Sequence, residues 1–187
     1  MKPIFVTSNA DKRREAERIL GVGLRAASPE VPEIQHLDLS EVARAKALAA
    51  RSVLGNPPEP VLVEDSGIVF EAWRGLPGAF TRWFLATVGV GGMLRMLPPD
   101  EDRSALAVCA VTVSEVGGDV HAFRGEVRGQ VAPEARGEGG FGWDPIFVPE
   151  WSDLTYAEMG DAKHEDSHRA RAFREVRRWL EGGGQAG

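Results

Sequence analysis

One cysteine, Cys109, is all that this 187-residue chain contains. A disulfide framework is thereby excluded, as is a zinc site built from cysteines, and the usage fits a reducing cytoplasm. Long apolar runs are missing too. The opening stretch, Met1-Lys2-Pro3-Ile4-Phe5-Val6, passes straight into polar residues and is too short for a signal peptide. Nothing further along approaches a membrane span. Positive charge is in deficit: 22 Lys and Arg stand against 28 Asp and Glu, a formal net charge of −6. An acidic chain is a poor fit to non-specific nucleic-acid binding, which depends on displacing counterions from many phosphates. A small anion held by a few local cations and a metal is still compatible with it.

What is present suits one globular domain, with 43% hydrophobic and 27% charged residues and no repeat or Ser/Pro-rich linker. Residues 3–7 read as a strand, and residues 11–20 as a helix with Ala16, Ile19 and Leu20 at helical spacing. Residues 22–37 are loop, broken by Pro29 and Pro32; an Ala-rich helix over 39–54 then ends at Gly55-Asn56-Pro57-Pro58. A buried strand over 61–64 is expected to resume at 68–70 past a Ser-Gly bend, and residues 80–97 read as helix interrupted at 89–92. The runs 105–114 and 120–131 predict a hairpin turning at Gly117-Gly118-Asp119. A glycine-rich loop over 137–144 leads to a strand over 146–148, and a last helix covers 167–180. The domain is expected to span 1–181, followed by a disordered Gly-rich tail over 182–187. This order predicts an α/β fold with a mixed sheet.

Several segments carry chemistry. In Thr7-Ser8-Asn9-Ala10-Asp11-Lys12, small polar residues sit where a strand turns into a helix, so backbone N–H groups and the helix dipole face an incoming anion. The same pattern also fits an ordinary helix cap. Lys12 precedes Ala16, Ile19 and Leu20 at helical spacing and so opens the inward stripe, whereas Arg14 and Arg18 fall off it. In Val61-Leu62-Val63-Glu64-Asp65-Ser66-Gly67, two adjacent carboxylates end an apolar strand. Buried without partners they would cost too much, so they must reach solvent, a cation or a metal. Alternation sends them to opposite faces, and Asp65, next to the bend, is the expected metal ligand; an acidic strand end is the plainer alternative. Glu33, in a Pro-constrained loop, joins such a site only if folding brings it near Asp65, where two carboxylates suit a magnesium ion that keeps several waters. Taken alone, Lys46 is a solvated residue on an Ala-rich helix, and spacing does not decide where Arg82 points.

The loop that contains Phe141, Gly142, Trp143 and Asp144 offers an aromatic face for base stacking and a carboxylate for a base's N–H edge, or else a hydrophobic plug. His168 and Arg169 precede Ala172 and Phe173 by four residues, so both point inward at the positive end of the last helix. Inward cations there need an acid or an anion to meet them, by a structural salt bridge or by a ligand.

Together, and in this order, Thr-x-Asn-x-x-Lys, Glu-Asp-Ser-Gly, Gly-Leu-Pro-Gly, Phe-Gly-Trp-Asp-Pro and Ser-His-Arg resemble the inosine triphosphate pyrophosphatase (XTP/dITP diphosphatase) family over nearly the whole chain. Residues 80–84 and 155–159 look closer to its eukaryotic and archaeal branch. The resemblance implies a two-lobed α/β fold with a nucleotide cleft between the lobes, a homodimer, and a magnesium-dependent, cytoplasmic enzyme. Its substrate would be a non-standard purine nucleoside triphosphate, cut between the α- and β-phosphates to a monophosphate and pyrophosphate. By position, Thr7, Ser8, Asn9, Ala10, Asp11, Lys12 and Lys46 match the phosphate-binding residues. Glu33 and Asp65 match the metal ligands, with Asp65 also the base and Ser66 beside it. Arg82 matches a substrate-binding basic residue, and Phe141 to Asp144, Lys163, His168 and Arg169 match the base-recognition set. Two departures stand out. Ser8 replaces a glycine, so its backbone must avoid positive φ or accept strain, and His164 replaces an asparagine. A nucleotide sensor without catalysis and a Maf-type pyrophosphatase acting on modified pyrimidines are the alternatives.

Overall fold

The computed structural model describes residues 2–182. The chain begins with β1 (Ile4–Val6), α1 (Ala10–Leu20), β2 (Arg25–Ala27), α2 (Leu39–Val53) and β3 (Val61–Phe70), then α3 (Thr81–Thr87) and α4 (Gly89–Met96). The hairpin β4 (Ser104–Ser114) and β5 (Val120–Val131) follows, then β6 (Phe147–Pro149), the single turn α5 (Tyr156–Met159) and α6 (His168–Glu181). Six strands form one sheet in the order β2-β1-β3-β4-β5-β6. β1 runs parallel to β2 and to β3, whereas the pairs from β3 to β6 are antiparallel. This is the expected α/β fold with a mixed sheet. The parallel half requires crossovers, which α1 and α2 supply.

Local chemistry fixes the helix ends. The Asn9 side chain caps α1 by accepting from the Asp11 and Lys12 amides, and Gly21 ends it at φ 70°, a left-handed conformation that favours glycine. Asp38 caps α2 and Ser167 caps α6. α1 and α6 pack on one face of the sheet over Phe5, Leu62 and Val111, with the Phe173 ring of α6 edge-on to Phe5 at 5.8 Å. α2 covers the other face through Ala47 and Ala50 against Ile4, Val61 and Val63. A further apolar cluster joins Ile68, Phe70, Met93, Trp143, Phe147 and Tyr156.

Four expectations are corrected. β3 is continuous through Ser66 and Gly67, with no bend. Gly67 answers a different need: a Cβ there would lie 2.2 Å from the Gly78 carbonyl oxygen, so the strand and the turn at 78–80 touch backbone to backbone. The segment 22–37 carries β2, a three-residue edge strand. The helix expected over 80–97 divides at Val88, and residues 89–92, expected to interrupt it, instead open α4. Between β6 and α6, where no element was predicted, α5 and a 3-10 turn over Gly160–Glu165 intervene. Of the expected tail, Gly182 caps α6 and residues 183–187 lie outside the described residues. Among the described residues no helix is long and apolar enough to cross a membrane.

Gly125 on β5 seats the first turn of α6, since a Cβ there would lie 2.1 Å from the His168 carbonyl oxygen and 2.5 Å from the Ala172 nitrogen. Gly125→Ala is therefore expected to destabilise the fold by about 1–3 kcal/mol through overpacking, read by urea denaturation. A loss below about 0.5 kcal/mol would mean that α6 yields without cost.

Candidate functional site

The C-terminal end of β1, the start of α1, the loop before α2, the middle of β3, α3 and the glycine-rich loop enclose a cleft of about 1090 Å³. Thr7, Ser8, Asn9 and Lys12 line it; Ala10 and Asp11 do not, and Asp11 pairs with Arg14 outside. The Asp11 and Lys12 amides are already satisfied by Asn9 Oδ1, at 2.9 and 3.1 Å. Thr7 Oγ1 accepts from the Asn9 amide at 3.1 Å, which leaves its hydroxyl proton to donate. An anion here would therefore meet the Thr7 hydroxyl and the Lys12 ammonium in addition to the helix dipole. Lys12 faces inward as its phase predicts, 3.4 Å from Glu64 Oε1, while Arg14 and Arg18 are exposed. Ser8 avoids the left-handed region, which among non-glycine described residues holds Asn56 and Arg74, so the missing glycine leaves no backbone strain.

Unbroken alternation in β3 separates the two carboxylates. Asp65 shares its face with Val61 and Val63, toward α2, whereas Glu64 shares the face of Leu62, toward α1 and α6. Both still border the cleft. Burial pushes the Asp65 carboxyl above its usual range, against the pull of Lys12 and Lys46 and with the push of Glu64. Its Oδ1 accepts from the Ser66 amide at 3.0 Å. Glu33 lines the same cleft, bonded to Lys46 and 3.4 Å from Arg82. The Lys46 hydrogen bond holds its carboxyl below the usual range against partial burial. Folding thus brings Glu33, Lys46, Asp65 and Arg82, which are far apart in sequence, to one cleft.

Glu64 is the residue that spacing passed over. Its side chain is fully buried and meets Lys12, Arg169 Nη2 at 3.2 Å and the Cys109 thiol at 3.6 Å. Burial pushes its carboxyl upward, but Arg169 and Lys12 outweigh that and hold it well below the usual range. Arg169 also bonds Glu15 through Nη1 and Ser66 Oγ through Nη2, at 3.3 Å for the latter. Of the two inward cations expected at the start of α6, Arg169 is thus met by two acids, whereas His168 is met by none and, against that expectation, is a neutral ring. Glu15 carries its own sequence signal: it lies three residues after Lys12 and one before Ala16, a charge on the inward stripe.

The aromatic end is built differently from the open phosphate end. Phe141, Gly142 and Trp143 line the cleft, whereas Asp144, Lys163, His168 and Arg169 are buried behind it. Asp144 Oδ2 accepts from Lys163 Nζ at 2.6 Å and from the Phe141 amide at 2.9 Å, which fixes the loop. Lys163 and Arg169 lie 5.1 and 5.3 Å from the Phe141 ring centroid. The His168 ring stacks on Tyr156 at 5.9 Å and tilts on Trp143 at 5.1 Å. Burial, helped by Arg169, lowers its pKa well below the usual value, so it is neutral, and neither ring nitrogen has a partner. The imidazole thus keeps both ring nitrogens unpaired behind the Trp143 wall of the cleft. His164 is turned away from the cleft, into an adjoining cavity of about 590 Å³ that also borders Glu15 and Asp161.

Among the described residues, no group of three or more His, Cys, Asp or Glu could hold a metal ion. A hard divalent ion nevertheless suits the donors in the cleft: Glu33 and Asp65 offer oxygens, and Glu64, which also borders the cleft, has its Oε2 buried without a hydrogen-bond partner. One or two carboxylates, with waters and substrate phosphates completing the shell, is the usual arrangement for magnesium.

Comparison with known proteins agrees with this architecture. The sequence model of the Ham1 family matches residues 3–179. A dITP/XTP pyrophosphatase of Methanopyrus kandleri is 40% identical, with 96% of each chain covered. The inosine triphosphate pyrophosphatase of Saccharomyces cerevisiae is 39% identical over 95% of this chain and 94% of its own. The structure of the Staphylococcus aureus Ham1 protein superposes with a TM-score of 0.84 at 26% identity, covering 98% of this chain and all of that one. The resemblance carried by the motifs is thereby established over nearly the full length: the chain belongs to the Ham1 family.

Proposed function

We propose that this protein hydrolyses non-standard purine nucleoside triphosphates (ITP, dITP and XTP) at the α–β phosphate bond, giving the monophosphate and pyrophosphate. The observation that carries the proposal is the composition of one cleft: Glu33 and Asp65 border it together with Lys12, Lys46 and Arg82, and Phe141 to Trp143 close it. Carboxylates for an ion and cations for phosphates meet there beside an aromatic wall for a base. The relatives named above for the same activity support this reading.

In this scheme Asp65 orients and deprotonates the water that attacks the α-phosphorus. Its partial burial raises its proton affinity toward that of a useful base. Lys12, Lys46 and the Thr7 hydroxyl hold the departing pyrophosphate. Glu33 and Asp65 would hold magnesium, which when bound supplies charge neutralisation at the phosphate oxygens. Phe141 stacks on the base, and the neutral His168, with Lys163 and Arg169 beside it, presents donors to a 6-oxo group. A 6-amino group sets donor against donor and leaves buried groups unpaired, which rejects ATP. We also propose a homodimer in the cytoplasm, acting on neither nucleic acid nor membrane. Exposed Leu37, Trp83, Val88 and Met96 supply apolar surface for a second copy, and light scattering gives the mass.

The test is a panel of ITP, XTP, dITP, GTP, ATP and UTP with magnesium. Pyrophosphate released fastest from the 6-oxo non-standard purines is the expected result, and EDTA is expected to abolish it until magnesium is restored in excess. No turnover would favour a sensor, and preference for UTP would contradict purine selection.

A further inference from the structure

Glu15 touches neither the cleft nor any group assigned above to phosphate or metal, yet it is buried, with 8% of its surface exposed. An acid at that depth persists only when its charge is met. Three groups face it. Oε2 accepts from Arg169 Nη1, while Oε1 lies 3.6 Å from Lys163 Nζ and 3.7 Å from His164 Nδ1. Burial pushes the His164 pKa down, so its ring is neutral and the two full charges facing Glu15 are Arg169 and Lys163.

These two cations flank the Phe141 ring, 5.3 and 5.1 Å from its centroid. Each has a second acid that pulls it elsewhere: Glu64 takes Arg169, and Asp144 takes Lys163. Without Glu15 nothing else in this network ties one cation to the other. Glu15 also rides on α1, the helix that carries Lys12, and Lys12 in turn meets Glu64. A row of alternating charge, buried beyond Lys12, therefore runs Lys12, Glu64, Arg169, Glu15, Lys163, Asp144, and Glu15 is its only member on α1 besides Lys12.

We propose that Glu15 is a positioning residue for purine selection: by holding Arg169 and Lys163 on one carboxylate, it sets where their donors meet the base. The proposal rests on the function stated above. Discrimination between a 6-oxo and a 6-amino purine depends on where donors stand, and a shift of about 1 Å in a donor is enough to lose much of it. An ordinary structural ion pair predicts something different, since its loss weakens the fold and slows every nucleotide alike.

Glu15→Asp separates the two. It keeps the charge, so the fold is retained, but one methylene less cannot reach both cations. The measurement is kcat and KM for ITP and for ATP in wild type and variant, with Tm recorded for each. The expected result is a fall of roughly tenfold or more in the ITP-to-ATP ratio of kcat/KM, mainly through a higher KM for ITP, with a near-normal Tm. The same comparison in Glu15→Gln, which keeps length and drops charge, is expected to lower the ratio as well. A ratio within about twofold of wild type in both variants, with the two nucleotides slowed in parallel, overturns the proposal alone. Absence of ITP turnover in the wild type overturns the functional reading, and this proposal with it.

Discussion

Asp65→Asn is expected to lower kcat for ITP by about a thousandfold, within the range that a positioned base contributes, and to leave Tm nearly unchanged. The fold has little reason to notice. Asn is isosteric, its Oδ1 can still accept from the Ser66 amide, and β3 is fixed by its pairing with β1 and β4. Burial already disfavours the ionised form of Asp65, so a neutral amide introduces no unmet charge. Chemistry is a different matter: an amide neither takes a proton from water nor binds a divalent ion with a full charge. Single-turnover kinetics with pyrophosphate detection reads the effect. Turnover within about tenfold of wild type would remove Asp65 from the role of base.

The largest effect on stability is expected at Arg169. Its guanidinium is buried between Glu15 and Glu64 and also reaches Ser66. Arg169→Met fills much of the volume but leaves two buried carboxylates with only Lys12 at 3.4 Å and Lys163 at 3.6 Å. Breaking one partner of a buried ionic set costs about 3–5 kcal/mol, which for a chain of this size lowers Tm by roughly 10 °C. The pH dependence gives the sign. Burial pushes Glu64 upward, but Arg169 foremost, with Lys12, holds it below its usual range in the folded state. Its contribution is therefore full above the ordinary glutamate pKa of about 4.3 and is lost as pH falls from there through its depressed folded value. Without Arg169 burial prevails, and the Glu64 carboxyl protonates readily. The gap between variant and wild type should accordingly be wide at pH 7 and narrow on acidification. An equal gap at both pH values would show that packing, not charge, is what Arg169 contributes.

Much of this was legible in the sequence, for identifiable reasons. Apolar spacing marked α1 and α6, because each buries one stripe against the sheet; alanine richness and the Gly-Asn-Pro-Pro breaker marked α2, and the β4–β5 hairpin followed from two long β-prone runs around paired glycines. Lys12, His168 and Arg169 were placed inward by phase alone. What escaped was short or depended on distant partners. β2 is three residues on an exposed edge and buries too little to leave a pattern. Gly67 suggested a bend, because a glycine needed for close approach to Gly78 looks the same in sequence as one needed for a turn. The choice of Asp65 over Glu64 followed from that bend. β3 is continuous, so alternation gives each carboxylate its own face as the sequence suggested, and Glu64 enters the ionic row between Lys12 and Arg169. Glu15 was passed over because its partners Lys163 and Arg169 are far away along the chain, although its place on the inward stripe of α1 was visible.

The central claim is that water attacks the α-phosphorus and pyrophosphate departs. Hydrolysis of ITP in ¹⁸O-labelled water, followed by mass spectrometry of both products, tests it directly. The account predicts one labelled oxygen in the nucleoside monophosphate and none in pyrophosphate. Label in the pyrophosphate, or labelled orthophosphate as the first product, would contradict it.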